Sequence, residues 1–208
     1  AIKSVAKKQI TNLKSSGDEY ELYDKDVMSA LRIIGDNSVV QLLNKYLTVS
    51  QLDTKMTAIL QLLRLGKSVP AMEIRKLAVD RNYLTEFYDS LRLLNKTALL
   101  PKEFQTQIKF AESYLASYIY DEEEGAEDVI FKLLGEKLTD ENGVRARYYI
   151  FKLIFKYEDG EEAYPAICGP FDINKLNPSA IGGVKSRVFY NEPLPLKSVD
   201  ELFKKFLK

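Results

Sequence analysis

The chain has 208 residues, with 30 Lys+Arg against 30 Asp+Glu, no His, no Trp and a single Cys. A chain of this length buries enough surface to fold without a disulfide or metal staple. The missing histidines remove the usual general base and the commonest metal ligand, and a lone Cys168 excludes an internal disulfide and any CxxC-type zinc site.

Balanced charge withholds the long-range field that draws basic proteins to nucleic acid or anionic lipid. No run reaches the ~18 consecutive apolar residues of a membrane helix. The chain starts at Ala1 without Met, inside an amphipathic pattern and without a signal-type apolar region. It therefore reads as a fragment or processed product, with a slight lean to the cytoplasm and an exported fragment as the alternative.

From Ala1 to about Leu138 the apolar residues recur at helical spacing, interrupted only by Pro70 and Pro101, which both suit a first helical turn. The spacing predicts helices over Ile2 to Lys14, Asp24 to Ile34, Ser38 to Leu47, Gln51 to Leu65, Val69 to Asp80, Tyr83 to Leu94, Pro101 to Tyr120 and Ala126 to Leu138. Short gaps make neighbours antiparallel helical hairpins.

These helices are periodic. The runs Leu31-Arg32-Ile33-Ile34-Gly35, Leu62-Leu63-Arg64-Leu65-Gly66 and Leu91-Arg92-Leu93-Leu94-Asn95 align, with the turn residue stepping from 35 to 66 to 95. In each, Leu stands four before the turn, an apolar residue one before it, and an apolar pair follows: Val39-Val40, Pro70-Ala71, Leu99-Leu100. Gly or Asn just past a helix end is what a left-handed C-terminal turn requires. Helix pairs that cannot cover their own apolar stripe bury it by stacking on the next pair.

The stretch Ala30-Leu31-Arg32-Ile33-Ile34-Gly35-Asp36, followed by Val39-Val40 and Leu42-Leu43, resembles the short HEAT-like repeat of about thirty residues also found in phycobilisome lyases. The likeness extends over about residues 24–120, losing the Asp at Lys67 and the Gly at Asn95. It implies a mainly α fold, a short solenoid of antiparallel helix pairs that binds a protein partner, and it transfers no catalytic residue.

After Gly143 the character changes. Arg147 to Tyr157 is dense in aromatic and β-branched residues, and Asp159-Gly160 separates it from a second strand-like run, Glu162 to Cys168. A hairpin closed at Asp159-Gly160 sets Phe155 opposite Tyr164, Leu153 opposite Ala166 and Phe151 opposite Cys168. Tyr149, Phe151, Leu153, Phe155 and Tyr157 then share the buried surface. Pro165 suggests that the second strand lies at an edge and Gly169-Pro170 ends it. Arg187 to Tyr190 offers a third short strand. A last helix starts at Ser198, whose capping box closes with Glu201. The expected organisation is a helical repeat domain over 1–143 and a β-hairpin and helix unit over 144–208 that seals the open end of the solenoid, with net charges of −3 and +3.

For function, Arg32, Arg64 and Arg92 recur near one place in successive repeats, as a ladder for an acidic partner segment or for phosphates would, although arginines also merely solubilise a helix. Tyr148 and Tyr190, if exposed, are the aromatic contact residues. Cys168 reads as a buried structural thiol, because no His can activate it. The acids Asp121 to Glu124, Glu127 and Asp128 lack the ligand spacing of a calcium loop, and Gly182-Gly183 before Lys185 lacks that of a phosphate loop. No cofactor and no metal are expected. The leading expectation is a non-enzymatic protein-protein interaction or scaffold module, part of a larger protein. The alternatives are a nucleic-acid-binding or glycosylase-type protein on a HEAT-like scaffold, which net −3 in the helical part and absent Trp disfavour, and a ligand or peptide binder using the C-terminal edge strand.

Overall fold

The apolar stripes and turn signals resolve into eight α-helices and one antiparallel sheet in a computed structural model that describes residues 1–15, 21–122, 128–141, 143–175, 184–192, 194 and 198–207. The helices are α1 (Ile2–Ser15), α2 (Glu21–Ile34), α3 (Asn37–Tyr46), α4 (Leu52–Arg64), α5 (Ala71–Val79), α6 (Arg81–Leu93), α7 (Gln107–Glu122) and α8 (Val199–Phe206). The strands are β1 (Asp128–Glu141), β2 (Val144–Tyr157), β3 (Gly160–Asp172) and β4 (Lys185–Val188). The chain divides into two compact units, Ala1–Pro101 and Lys102–Lys208.

In the first unit, the three turn positions read from the sequence are all left-handed, with φ of 66° at Gly35, 69° at Gly66 and 55° at Asn95. At two of them the paired bonds of a Schellman motif form: Lys67 N–H donates to Leu62 O and Gly66 N–H to Leu63 O, while Lys96 N–H donates to Leu91 O and Asn95 N–H to Arg92 O. At the first, Gly35 N–H donates to Leu31 O. The Leu four residues before each turn is fully buried, as Leu31, Leu62 and Leu91. The cap chemistry and the core position therefore repeat together.

The stacked solenoid does not. After α6 the chain makes two short 3-10 turns, Thr97–Leu99 and Lys102–Phe104, where a third copy needs its second helix. Helix α4 packs against α2, α3, α5 and α6, so the unit is organised around one central helix rather than as pairs touching only the next pair. Eight of its thirteen residues are buried, Thr54 and Gln61 among them. The amide of Gln61 donates to Ser29 Oγ at 3.3 Å, which satisfies one end of an otherwise orphaned polar group.

The second unit overturns the mainly α expectation, because the protein is α+β. The stretch expected as a helix over Ala126 to Leu138 is β1, paired antiparallel with β2 along its length, from Asp128 opposite Lys156 to Glu141 opposite Val144. A bulge between Leu133 and Gly135 leaves Leu134 as the extra residue. The bulge explains the misreading. It switches the parity of the outward and inward residues, so that Val129, Leu133, Leu134 and Leu138 fall at spacings a helix would also give.

The four strands lie in sequence order in one sheet. The hairpin forms where it is expected, but its two loop residues are Glu158 and Asp159, with Tyr157 paired to Gly160. Phe155 therefore faces Glu162, Leu153 faces Tyr164 and Phe151 faces Ala166. The slip is of two residues, which keeps every side chain on its expected surface. Two more expectations change: β3 runs through Gly169-Pro170 to Asp172, and it is an inner strand, since Ala166 to Gly169 pair with β4. The edges are β1 and β4.

Both faces of the sheet are covered. On one, Tyr149 and Tyr114 of α7 pack against Phe171 at ring-centroid distances of 5.7 and 6.4 Å. On the other, Tyr148, Ile150, Ile167 and Phe189 form a core with Leu202 and Phe203 of α8. Helix α8 begins at Ser198 as expected, its hydroxyl accepting the Glu201 amide. Ion pairs of Lys137 with Asp200 and of Lys205 with Glu192 fasten α8 to β1 and to the chain after β4.

Candidate functional site

The three arginines expected to form a ladder are all exposed, but they do not share one position. Arg32 and Arg92 stand three residues before their turns and Arg64 stands two before. One residue is about 100° of helix rotation, so Arg64 leaves the row that Arg32 and Arg92 define. Arg92 Nε pairs with Asp89 at 3.1 Å. The residues beside the arginines are more informative. Ile33 is 81% exposed and Leu93 is 78% exposed, and both sit two residues before a left-handed turn, next to Arg32 and Arg92. At two helix ends of the same unit, a cation thus stands beside a large apolar side chain that the fold does not use.

The aromatic contact residues separate. Tyr148 is buried, with its ring 4.9 Å from Phe203 and 5.7 Å from Phe206, so it is a core residue of the α8 face. Tyr190 remains at the surface, packed edge-on against Tyr164 at 5.1 Å. It lines a groove with Arg187 and Lys205, where the Arg187 guanidinium sits 5.1 Å above the Phe189 ring.

Cys168 is fully buried and pairs with Tyr149 in the sheet. Burial pushes its thiol up to about 12, against a weaker opposing effect of the Ser186 hydroxyl, which lies 3.4 Å from Sγ. A thiol held protonated in a closed core is no nucleophile. The acids expected not to form a calcium loop fall largely outside the described residues, as do Gly182 and Gly183. Among the described residues no three carboxylate or thiol groups gather where a metal ion could sit, and no helix is long and apolar enough to cross a membrane.

One cluster was not legible in the sequence. At the end of the sheet where β3 runs out, a cleft of about 380 Å³ opens between the start of α7, β2 and the turn after Asp172. Gln107, the first residue of α7, builds it: its Nε2 donates to the carbonyls of Asp172 at 2.6 Å and Lys175 at 2.7 Å, while its Oε1 accepts from the Tyr149 hydroxyl at 3.4 Å.

The Asp172 carboxyl accepts the Asn174 amide at 2.9 Å and lies 3.3 Å from Lys175 Nζ, and these two groups hold it below the usual carboxylate range, the amide first. Into this frame β2 delivers Arg147. Its guanidinium lies 6.0 Å from the centre of the Tyr149 ring, and the Tyr149 hydroxyl raises its already high affinity for a proton. Tyr149 is two residues from Arg147 on the same strand, but Gln107, Asp172 and Lys175 lie 25 to 40 positions away in the chain, and beside Arg147 the ladder is irregular, with Gly169 and Pro170 of β3 set against Tyr148 alone. No local motif announces such a meeting.

Comparison of the chain with models of known protein families, with curated proteins and with solved structures finds no match.

Proposed function

We propose that the protein is a non-enzymatic interaction module whose helical unit engages a protein partner. The observation that carries the reading is the exposure of Ile33 and Leu93, at 81% and 78%, at equivalent helix ends beside Arg32 and Arg92. Large apolar side chains left in water at matching positions favour binding, because burial by a partner recovers ~2 kcal/mol for each. The adjacent arginines select a segment that carries carboxylates next to its apolar residues.

Charge supports this choice. At the boundary between the two units, residues 1–101 hold 15 basic and 11 acidic groups and residues 102–208 hold 15 and 19, so the helical unit is net +4 and not the −3 expected with a boundary at residue 143.

The test is affinity capture from a lysate of the source cells with the whole chain, set beside two variants. One is Ile33→Ser with Leu93→Ser, and the other replaces Arg32, Arg64 and Arg92 with Ala. A species held by the natural chain and lost from both variants, with their helical circular dichroism unchanged, supports the reading. A captured set indifferent to both variants overturns it.

A further inference from the structure

Arg147 stands in the cleft with its hydrogen-bonding capacity largely unused. Its Nε is buried and makes no hydrogen bond among the described residues; Glu136 Oε2 lies 3.3 Å away, close enough for attraction but outside hydrogen-bond geometry. Its Nη1 donates to the Tyr149 hydroxyl only at the long distance of 3.4 Å. A guanidinium carries five N–H donors in a rigid fork, so the edge formed by its two Nη groups is poised for a planar acceptor. Lys175, 70% exposed in its side chain, brings a second cation to the same cleft. Ile108, Ile173 and the Tyr149 ring supply apolar wall.

We propose that this cleft binds a small aliphatic carboxylate, gripped in two-pronged fashion by Arg147, steadied by Lys175, with its hydrocarbon stem against Ile108, Ile173 and the Tyr149 ring. Three features choose this ligand class. The fork of Arg147 matches the spacing of two carboxylate oxygens. The volume of about 380 Å³ lies at the low end of small-ligand sites, which suits a compact molecule. The neighbouring carboxylates of Glu136 and Asp172 balance the charges of Arg147 and Lys175, so a monoanion is accommodated where a phosphate dianion meets repulsion. Gln107 contributes by tying the backbone of the turn that carries Lys175 to the first turn of α7, so that turn is in place before a ligand arrives.

The whole chain is titrated with isovalerate, with inorganic phosphate and with sodium chloride at matched ionic strength, while nuclear magnetic resonance follows the Arg147 Nε–H and the Ile108 and Ile173 methyl signals. Isovalerate shifts these signals saturably, and phosphate and chloride do not. Arg147→Gln weakens the isovalerate affinity at least about tenfold and Lys175→Gln by about threefold. Lys175 is an exposed side chain, so its variant decides the matter if Arg147→Gln fails to fold. Tighter binding of phosphate than of isovalerate, an unsaturating drift of signals over the whole surface, or full affinity in the Lys175 variant together with either full affinity or loss of folding in the Arg147 variant overturns the assignment.

Discussion

Asp36 joins a helix cap to an ion pair. Its carboxylate accepts the Val39 amide at 3.0 Å as the N-cap of α3, accepts the Ser38 hydroxyl at 2.7 Å, and pairs with Lys3 of α1. All three hold its carboxyl well below the usual carboxylate range, Lys3 most strongly. A group whose proton affinity is lowered by folding stabilises the fold above the unfolded value and loses that contribution as pH falls through the folded one. Asp36→Asn keeps a capping oxygen but loses the charge. Urea midpoints should therefore place the variant below the natural chain at pH 7, with the gap closing as pH drops from 4 towards 2; a gap constant across that range would deny the ion pair its role.

Gly169 makes a steric case, since a Cβ there would sit 2.6 Å from Tyr148 Cδ1 and 2.9 Å from the Arg147 carbonyl oxygen. Backbone cannot yield as a side-chain tip can, so Gly169→Ala should cost ~1–3 kcal/mol in urea unfolding. Cys168 should resist alkylation at pH 8 in the native protein and react once unfolded by urea, because closure of the core keeps its thiol protonated. The caps at residues 35, 66, 95 and 198 were legible in the sequence because capping is local chemistry within about five residues. Arg147 was not, because its partners come from three segments and only the folded sheet assembles them.

At the scale of the element, helices and strands differed in legibility for a physical reason. Helices α1 to α6 emerge with ends within a few residues of expectation, since each carries its own apolar stripe and stop signal. Strand β1 does not, because its partner β2 decides its state and the bulge at Leu134 hides its alternation. The hairpin lies between these cases: its place was legible from Asp159-Gly160, while the register depended on which two residues turn.

The helix ends offer a direct measurement. At Gly66 a Cβ would meet nothing within 4 Å, so replacing it with Ala tests the left-handed backbone alone. Gly66→Ala should lose about 1 kcal/mol, and Asn95→Gly, at φ 55°, should gain several tenths. If both variants unfold at the natural midpoint, the left-handed turns contribute nothing to helix termination here.

For the molecule as a whole, the question is whether the side chains that the fold leaves in water are spent on binding. Stability and function can be separated at Ile33 and Leu93, because side chains 81% and 78% exposed contribute little to the core. Their neighbours Leu31 and Leu91, fully buried two residues earlier, mark the opposite extreme of the same helix ends. Substituting Ser at both exposed positions should shift the unfolding free energy by no more than ~0.5 kcal/mol per site, the usual range for surface changes, whereas Leu91→Ala should cost ~2–5 kcal/mol. A partner that buries both exposed side chains should dissociate at least about tenfold faster from the Ser variant, since apolar contact governs the off-rate. Replacing Arg32 and Arg92 should act differently, slowing association and flattening its salt dependence. A Ser variant that melts with the Leu91 variant would show these side chains to be structural, and the proposed interaction surface would have to be given up.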